Sequence, residues 1–153
     1  MLERFLLKRD KKVTGFMKIE DKDLIKQALE ARKKSYSPYS HFRVGAAILT
    51  EDGKLYTGCN IENAAFSPTN CAERTAIFKA VSEGKQKFVK IAIVGGRKGE
   101  VLDYCPPCGV CRQVMREFVN PQQFQVILAK SETEYKVYKL SQLLPEDFGP
   151  HNI

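Results

Sequence analysis

Apolar stretches of membrane-spanning length are absent from this 153-residue sequence. The longest runs, Val44–Leu49 and Ile91–Gly96, are the size of single strands, whereas a spanning helix needs about 20 apolar residues. A secretion signal is missing too, because the N-terminus has no apolar core of that kind. It has no serine before Ser35 and carries Glu3 and Asp10, which is not the composition of a transit peptide. No internal repeat, linker or low-complexity segment interrupts the chain, so one domain is expected. Cysteine is scarce and odd in number: of five residues, Cys71, Cys105, Cys108 and Cys111 fall in two short segments and Cys59 stands apart. Such a set argues against a disulfide framework. It fits a reducing compartment, the cytoplasm, and metal or thiol chemistry.

What is present suits a packed globule. Hydrophobic residues make up 43% of the chain, and at this length most apolar surface can be buried without staples. The formal net charge of +7 is unevenly spread. Residues 1–18 carry Arg4, Lys8, Arg9, Lys11, Lys12 and Lys18 against Glu3 and Asp10, which places +4 of the excess there. A run of this kind reads as a solvated tail before it reads as a nucleic-acid contact. Residues 1–17 are therefore taken as a basic appendage to a domain covering 18–153.

Leu24, Ile25, Ala28, Leu29 and Arg32 fall on helical spacing and predict an amphipathic helix over 21–35, stopped by the segment around Pro38. Residues 42–49 and 55–61 read as strands joined by a hairpin at Glu51-Asp52-Gly53-Lys54. A loop over 62–70, with Thr69 or Asn70 as N-cap, leads to a helix over 71–83. Residues 90–95, apolar after Lys90, form a strand of the kind buried on both faces. A helix over 109–119 and strands over 124–129 and 135–140 follow. The last link is too short for a parallel crossover, so the final pair is expected to be antiparallel. The fold class is α/β: a mixed five-stranded sheet with helices on its faces and parallel pairing in its middle.

The chemistry concentrates at Asn70-Cys71-Ala72-Glu73-Arg74 and Cys105-Pro106-Pro107-Cys108-Gly109-Val110-Cys111. Each segment opens a predicted helix, where unpaired N–H groups and the helix dipole favour thiolate over thiol. Cys71, Cys108 and Cys111 would make a three-sulfur zinc site with an open fourth position, the mark of a catalytic centre. Glu73 can reach the same point as a proton acceptor for water and hand the proton to a substrate nitrogen. Cys-Ala-Glu with Pro-Cys-Gly-Val-Cys is the all-cysteine form of the zinc deaminase signature. Three other readings stay open. Cys105 could close a four-cysteine structural site, although Glu73 would then have no task. Cys105, Cys108 and Cys111 resemble part of an iron–sulfur run, although Met115 stands where a further cysteine would follow. Cys108 and Cys111 alone could form a redox dithiol. Cys59 reads as a small buried apolar residue.

Four segments carry a family resemblance: Ser35 to Ala47, Gly58 to Ala64, Cys71 to Ala76 and Pro107 to Gln113. They resemble the small homotetrameric, zinc-dependent cytidine deaminases, from about residue 20 to Phe148. The resemblance implies a three-layer α/β/α sandwich and hydrolysis of cytidine and deoxycytidine to uridine and deoxyuridine in pyrimidine salvage, with loss of ammonia. It implies Cys71, Cys108 and Cys111 as ligands of Zn²⁺, Glu73 as proton shuttle and Arg74 as a donor to the zinc thiolates. It further implies Phe42 and Ala72 at the base pocket, and Asn60 and Glu62 at the ribose 3′-hydroxyl. Phe148 would cover the pyrimidine in a neighbouring subunit of a homotetramer with shared active sites. On the residues alone, Phe42 is a core strand residue, Asn60 and Glu62 cap a loop, and Arg74 makes a surface salt bridge. Phe66 departs from the family pattern, where many members have tyrosine. A free nucleoside is the expected partner, with no membrane and no nucleic acid, since a nucleotide inside a strand has no free 3′-hydroxyl. A deaminase of nucleic acid, of a cytosine-containing antibiotic, or a zinc-stabilised binding module are the alternatives.

Overall fold

The centre of the sheet is the strand with the most apolar sequence. In the computed structural model, which describes residues 19–153, the elements run α1 (Asp21–Arg32), β1 (Phe42–Thr50), β2 (Leu55–Cys59), α2 (Ala72–Ser82), β3 (Phe88–Arg97), α3 (Gly109–Phe118), β4 (Gln125–Ala129), β5 (Tyr135–Lys139) and α4 (Leu140–Leu143), with a final 3₁₀ turn Pro150–Asn152. The strand order is β2-β1-β3-β4-β5. The basic appendage expected over 1–17 lies outside the described residues.

Strand β1 is antiparallel to both β2 and β3, β4 runs parallel to β3, and β5 is antiparallel to β4. The mixed sheet and its antiparallel last pair are as expected. Within the sheet, parallel pairing is confined to β3–β4, because β1 inserts between β2 and β3. Side-chain alternation sorts the strands into two cores. Ala46, Ile48, Ile91, Ile93, Val126 and Leu128 face α2 and α3. Ala47, Leu49, Ala92, Val94, Ile127 and Ala129 face α1. This gives the three-layer sandwich.

Helix α1 buries Leu24 and Ile25 completely, each worth about 1.5–3 kcal/mol over an exposed position. It lies close to β1, since a Cβ at Gly45 would fall 2.0 Å from the Ala28 carbonyl oxygen. The helix ends at Arg32 and not at residue 35. Its last turn tightens as Lys34 and Ser35 donate to the carbonyls of Ala31 and Arg32, and Tyr36 then donates to Asn60. The competing partner on the β2 side ends the helix before Pro38 can. Strand β2 likewise stops at Cys59, and Ile61 makes isolated bridges to Tyr36 and Asn70.

Candidate metal centre and active site

Helices α2 and α3 start side by side on one face of the sheet, and each uses a cysteine as its N-cap residue. Cys71 precedes Ala72 in extended geometry, and Cys108 precedes Gly109 in the same way. The expected cap at Thr69 or Asn70 is displaced by one residue or more; the Asn70 amide donates instead to the Thr75 hydroxyl. Cys111 lies one turn into α3, fully buried, and its backbone N–H points at the Cys108 sulfur at 3.5 Å.

The three sulfurs converge. Cys71 and Cys108 are 3.8 Å apart and Cys108 and Cys111 3.5 Å apart, and all three lie within 4.8 Å of one another. Tetrahedral thiolates at about 2.3 Å from one zinc ion would be about 3.8 Å apart. The donor set therefore fits zinc in both chemistry and spacing. Cys105 is outside the cluster. It packs against β3, where a Cβ at Gly95 would lie 2.6 Å from its sulfur and 3.1 Å from the Phe42 ring. Burial, then the charges of Glu73 and Cys71, push the Cys105 thiol up to about 12. Its place against Gly95, outside the three converging sulfurs, suits packing and not ligation.

Glu73, only 3% exposed, directs Oε2 to 3.8 Å from the Cys111 sulfur. Burial is the main cause that raises its carboxyl from 4.5 to about 7, in the range a proton shuttle needs near neutral pH. Cys71 and Cys111 are linked: hydrogen bonding from Cys111 pulls Cys71 down, and the same bond, with burial, pushes Cys111 up. The Arg74 guanidinium donates to the Cys71 sulfur at 3.4 Å. Burial acts to lower its pKa, but the thiol contacts outweigh it and raise the value. Arg74 thus answers the sulfurs and makes no surface salt bridge among the described residues.

Phe42, Asn60 and Glu62 meet around the turn before β1, whereas Ala72 and Phe148 lie elsewhere. Phe42 is 40% exposed at the start of β1, beyond a left-handed His41 with φ 57°. Asn60 accepts from Ser35 and Val44 through Oδ1 and donates from Nδ2 to Phe42 O. Glu62 accepts from the Tyr39 and Ser40 backbone and from the Ser40 hydroxyl. Both side chains therefore clamp the segment that presents Phe42. An amide N–H and carboxylate lone pairs are left over for a hydroxyl. Ala72 is buried at the first position of α2. Phe148 is 60% exposed, on a tail held to α3 by Gln113 Nε2 donating to Phe148 O and by the ion pair of Arg116 with Asp147.

The sequence reading missed Gly95, which makes room for both Cys105 and Phe42, and the clamp at Arg116. Gln113 and Arg116 stand at i and i+3 after Cys111, which was the available signal for a polar face on α3.

Comparison with known proteins agrees with this geometry. The family model described as the cytidine and deoxycytidylate deaminase zinc-binding region matches residues 18–127. A cytidine deaminase of Halalkalibacterium halodurans is 50% identical over 125 residues, 82% of this chain and 91% of that protein. That of Sporosarcina psychrophila is 47% identical over 130 residues, 85% of this chain and 92% of that protein. Among solved structures, the cytidine deaminase of Burkholderia pseudomallei superposes with a TM-score of 0.76 at 44% identity, covering 85% of this chain and 100% of that one. The Mycobacterium tuberculosis enzyme gives 0.72 at 34% identity, over 86% of this chain and 99% of that one. The thiol cluster lies within the matched region, and the chain belongs to the zinc-binding cytidine and deoxycytidylate deaminase family.

Proposed function

We propose that the protein hydrolyses cytidine and deoxycytidine to uridine and deoxyuridine, releasing ammonia, as a step of pyrimidine salvage in the cytoplasm. The observation that carries this reading is the buried Glu73 carboxyl beside a three-sulfur cluster. Cys71, Cys108 and Cys111 would hold zinc, which supplies a Lewis acid that makes water acidic enough to give a nucleophile near neutral pH. Glu73 accepts a proton from that water and delivers it to the cytosine ring nitrogen. The water oxygen bonds to C4, the carboxyl then takes the remaining proton of that new hydroxyl and passes it to the amino group, and the C4–N bond breaks to free ammonia and leave the C4 carbonyl. Arg74 holds the charge of the Cys71 thiolate in check, so that three sulfurs do not suppress the acidity of the water.

Phe42 and the backbone at Ala72 line the base. The spare N–H of Asn60 donates to the ribose 3′-hydroxyl, and Glu62 accepts from it. Phe148 covers the pyrimidine of a neighbouring subunit in a homotetramer. The exposure of Phe42, Ile61, Phe66 and Phe148 supports an assembly that covers them. Residues 18–153 form the catalytic unit and 1–17 a basic appendage. No helix among the described residues is long and apolar enough to cross a membrane.

Ammonia release, measured in parallel with cytidine, deoxycytidine and a cytosine-containing oligonucleotide, tests the reading. Turnover of both nucleosides and none of the oligonucleotide is expected; the reverse order would reassign the substrate. For the shared site, hybrids of a Glu73→Ala chain and a chain ending at Leu144 should recover activity. No recovery in verified hybrids would place Phe148 outside a partner's pocket.

A further inference from the structure

Away from the thiol cluster, the structure gathers cations that form no ion pair among the described residues. The start of β1 and the end of β3 are neighbours, with Phe42 opposite Arg97 and Arg43 opposite Gly96. Together with the segment before β1 they bound an open cleft of about 560 Å³, whose lining includes Tyr36, His41, Arg43, Arg97, Lys98 and Glu100. That volume is the size of a pocket for a nucleotide-sized molecule. Among the described residues, Lys85, Lys90, Lys130 and Arg116 each pair with a carboxylate, but no carboxylate oxygen lies within 4.0 Å of the charged groups of Arg43, Arg97 or Lys98.

A fourth positive charge lies beneath them. Arg32 donates to Arg43 O at 3.1 Å, Gly96 O at 2.7 Å and Arg97 O at 3.0 Å, so carbonyls satisfy its hydrogen bonds, and no carboxylate among the described residues pairs with its charge. Burial is the main cause that lowers its pKa, and the neighbouring charge of Arg43 adds to it. An anion in the cleft would relieve that repulsion.

We propose that this cleft binds the phosphate chain of a small molecule, either an inorganic oligophosphate or a nucleoside triphosphate. Guanidinium groups take phosphate oxygens two at a time, and several adjacent phosphates match several adjacent cations better than one carboxylate does. Tyr36, 57% exposed on the lining, offers a ring for a base. A continuous nucleic-acid strand fits less well, because the cations converge on one cleft and Glu100 would repel a backbone passing on. His41 and Arg43 flank Phe42 in sequence, so occupancy of the cleft bears on the turn that presents Phe42. The inference stands apart from the substrate assignment.

Calorimetric titration of the zinc-loaded, full-length protein with sodium tripolyphosphate and with ATP tests it, at low and at physiological ionic strength. Saturable binding is expected, weakened about tenfold or more by Arg43→Gln with Arg97→Gln and strengthened by Glu100→Gln. Zinc content and melting temperature report that each variant is folded; Lys98→Gln, on an exposed side chain, replaces any that is not. Equal affinities for the two ligands would mean that the phosphate chain alone is read. Tighter ATP binding that Tyr36→Ala abolishes would assign the base to Tyr36. Absence of saturable tripolyphosphate binding, or equal binding by the double variant, overturns the proposal. So does tighter binding of a single-stranded oligonucleotide that the same substitutions abolish, which would make the cleft part of a strand-binding face.

Discussion

Glu73 places its carboxyl oxygen 3.8 Å from the sulfur of Cys111, although the two residues belong to different helices and are 38 positions apart in sequence. The contact requires α2 and α3 to begin at the same place on the sheet. It joins the proton-carrying group to the cluster that would hold the metal.

Arg74 is expected to matter through charge. Replacing it with Gln leaves Cys71 without its guanidinium partner, and losses of about 10–100-fold in activity or zinc affinity are typical of such contacts. The acidic limb of the pH–rate profile should move upward, and Arg74→Lys should restore part of the rate. Unchanged kinetics in Arg74→Gln would show that the contact is only structural.

The raised carboxyl of Glu73 has a consequence for the zinc-stripped protein. Its value of about 7 in the fold stands above the ordinary 4.5. The protonated form is therefore favoured by folding, and its contribution is complete below the ordinary value and lost as pH rises through about 7. Relative to a zinc-stripped Glu73→Gln protein, the wild-type chain should lose stability over that window, by an amount on the order of a few kcal/mol. Urea unfolding of both proteins at several pH values measures the difference. A difference that does not change with pH contradicts the burial argument.

Much of this was legible in the sequence. The apolar run at 91–94 marks the central strand because both faces of β3 are covered, and Cys-x-Glu with Cys-x-x-Cys marks the site because two helix starts supply it. What the sequence could not show depends on distant partners. Arg32 reads as the polar end of a helix face, yet it is fixed by carbonyls of β1 and β3. Asn60 and Glu62 read as loop caps or as ribose contacts, and the fold makes them clamps on the turn before Phe42. Cys105 could not be separated from the ligands by spacing, because the space left by Gly95 draws it away.

The tail carrying Phe148 should be sensitive to its anchor. Arg116, whose side chain is 12% exposed, pairs with Asp147 and lies 2.6 Å from His151 Nδ1. A Cβ at Gly149 would come within 2.8 Å of the same guanidinium. Arg116→Ala and Gly149→Ala should therefore converge on one phenotype, a KM for cytidine raised about tenfold with zinc content kept, as expected for a lost stacking contact. An unchanged KM in both variants would remove the tail from substrate binding.

Cys105→Ser should keep a full zinc complement, because Cys105 lies outside the sulfur cluster. Metal analysis showing loss of zinc would make Cys105 a ligand and turn the centre into a closed structural site.

The central claim is that Glu73 moves the protons while the three cysteines hold the metal. Cytidine turnover and zinc content of Glu73→Ala, measured on the same preparation, test it most directly. The account predicts a fall in kcat beyond the roughly 10²–10⁴-fold of a single acid–base group, because one carboxyl serves successive transfers, with zinc content unchanged. Loss of zinc together with activity, or activity that survives, would contradict it.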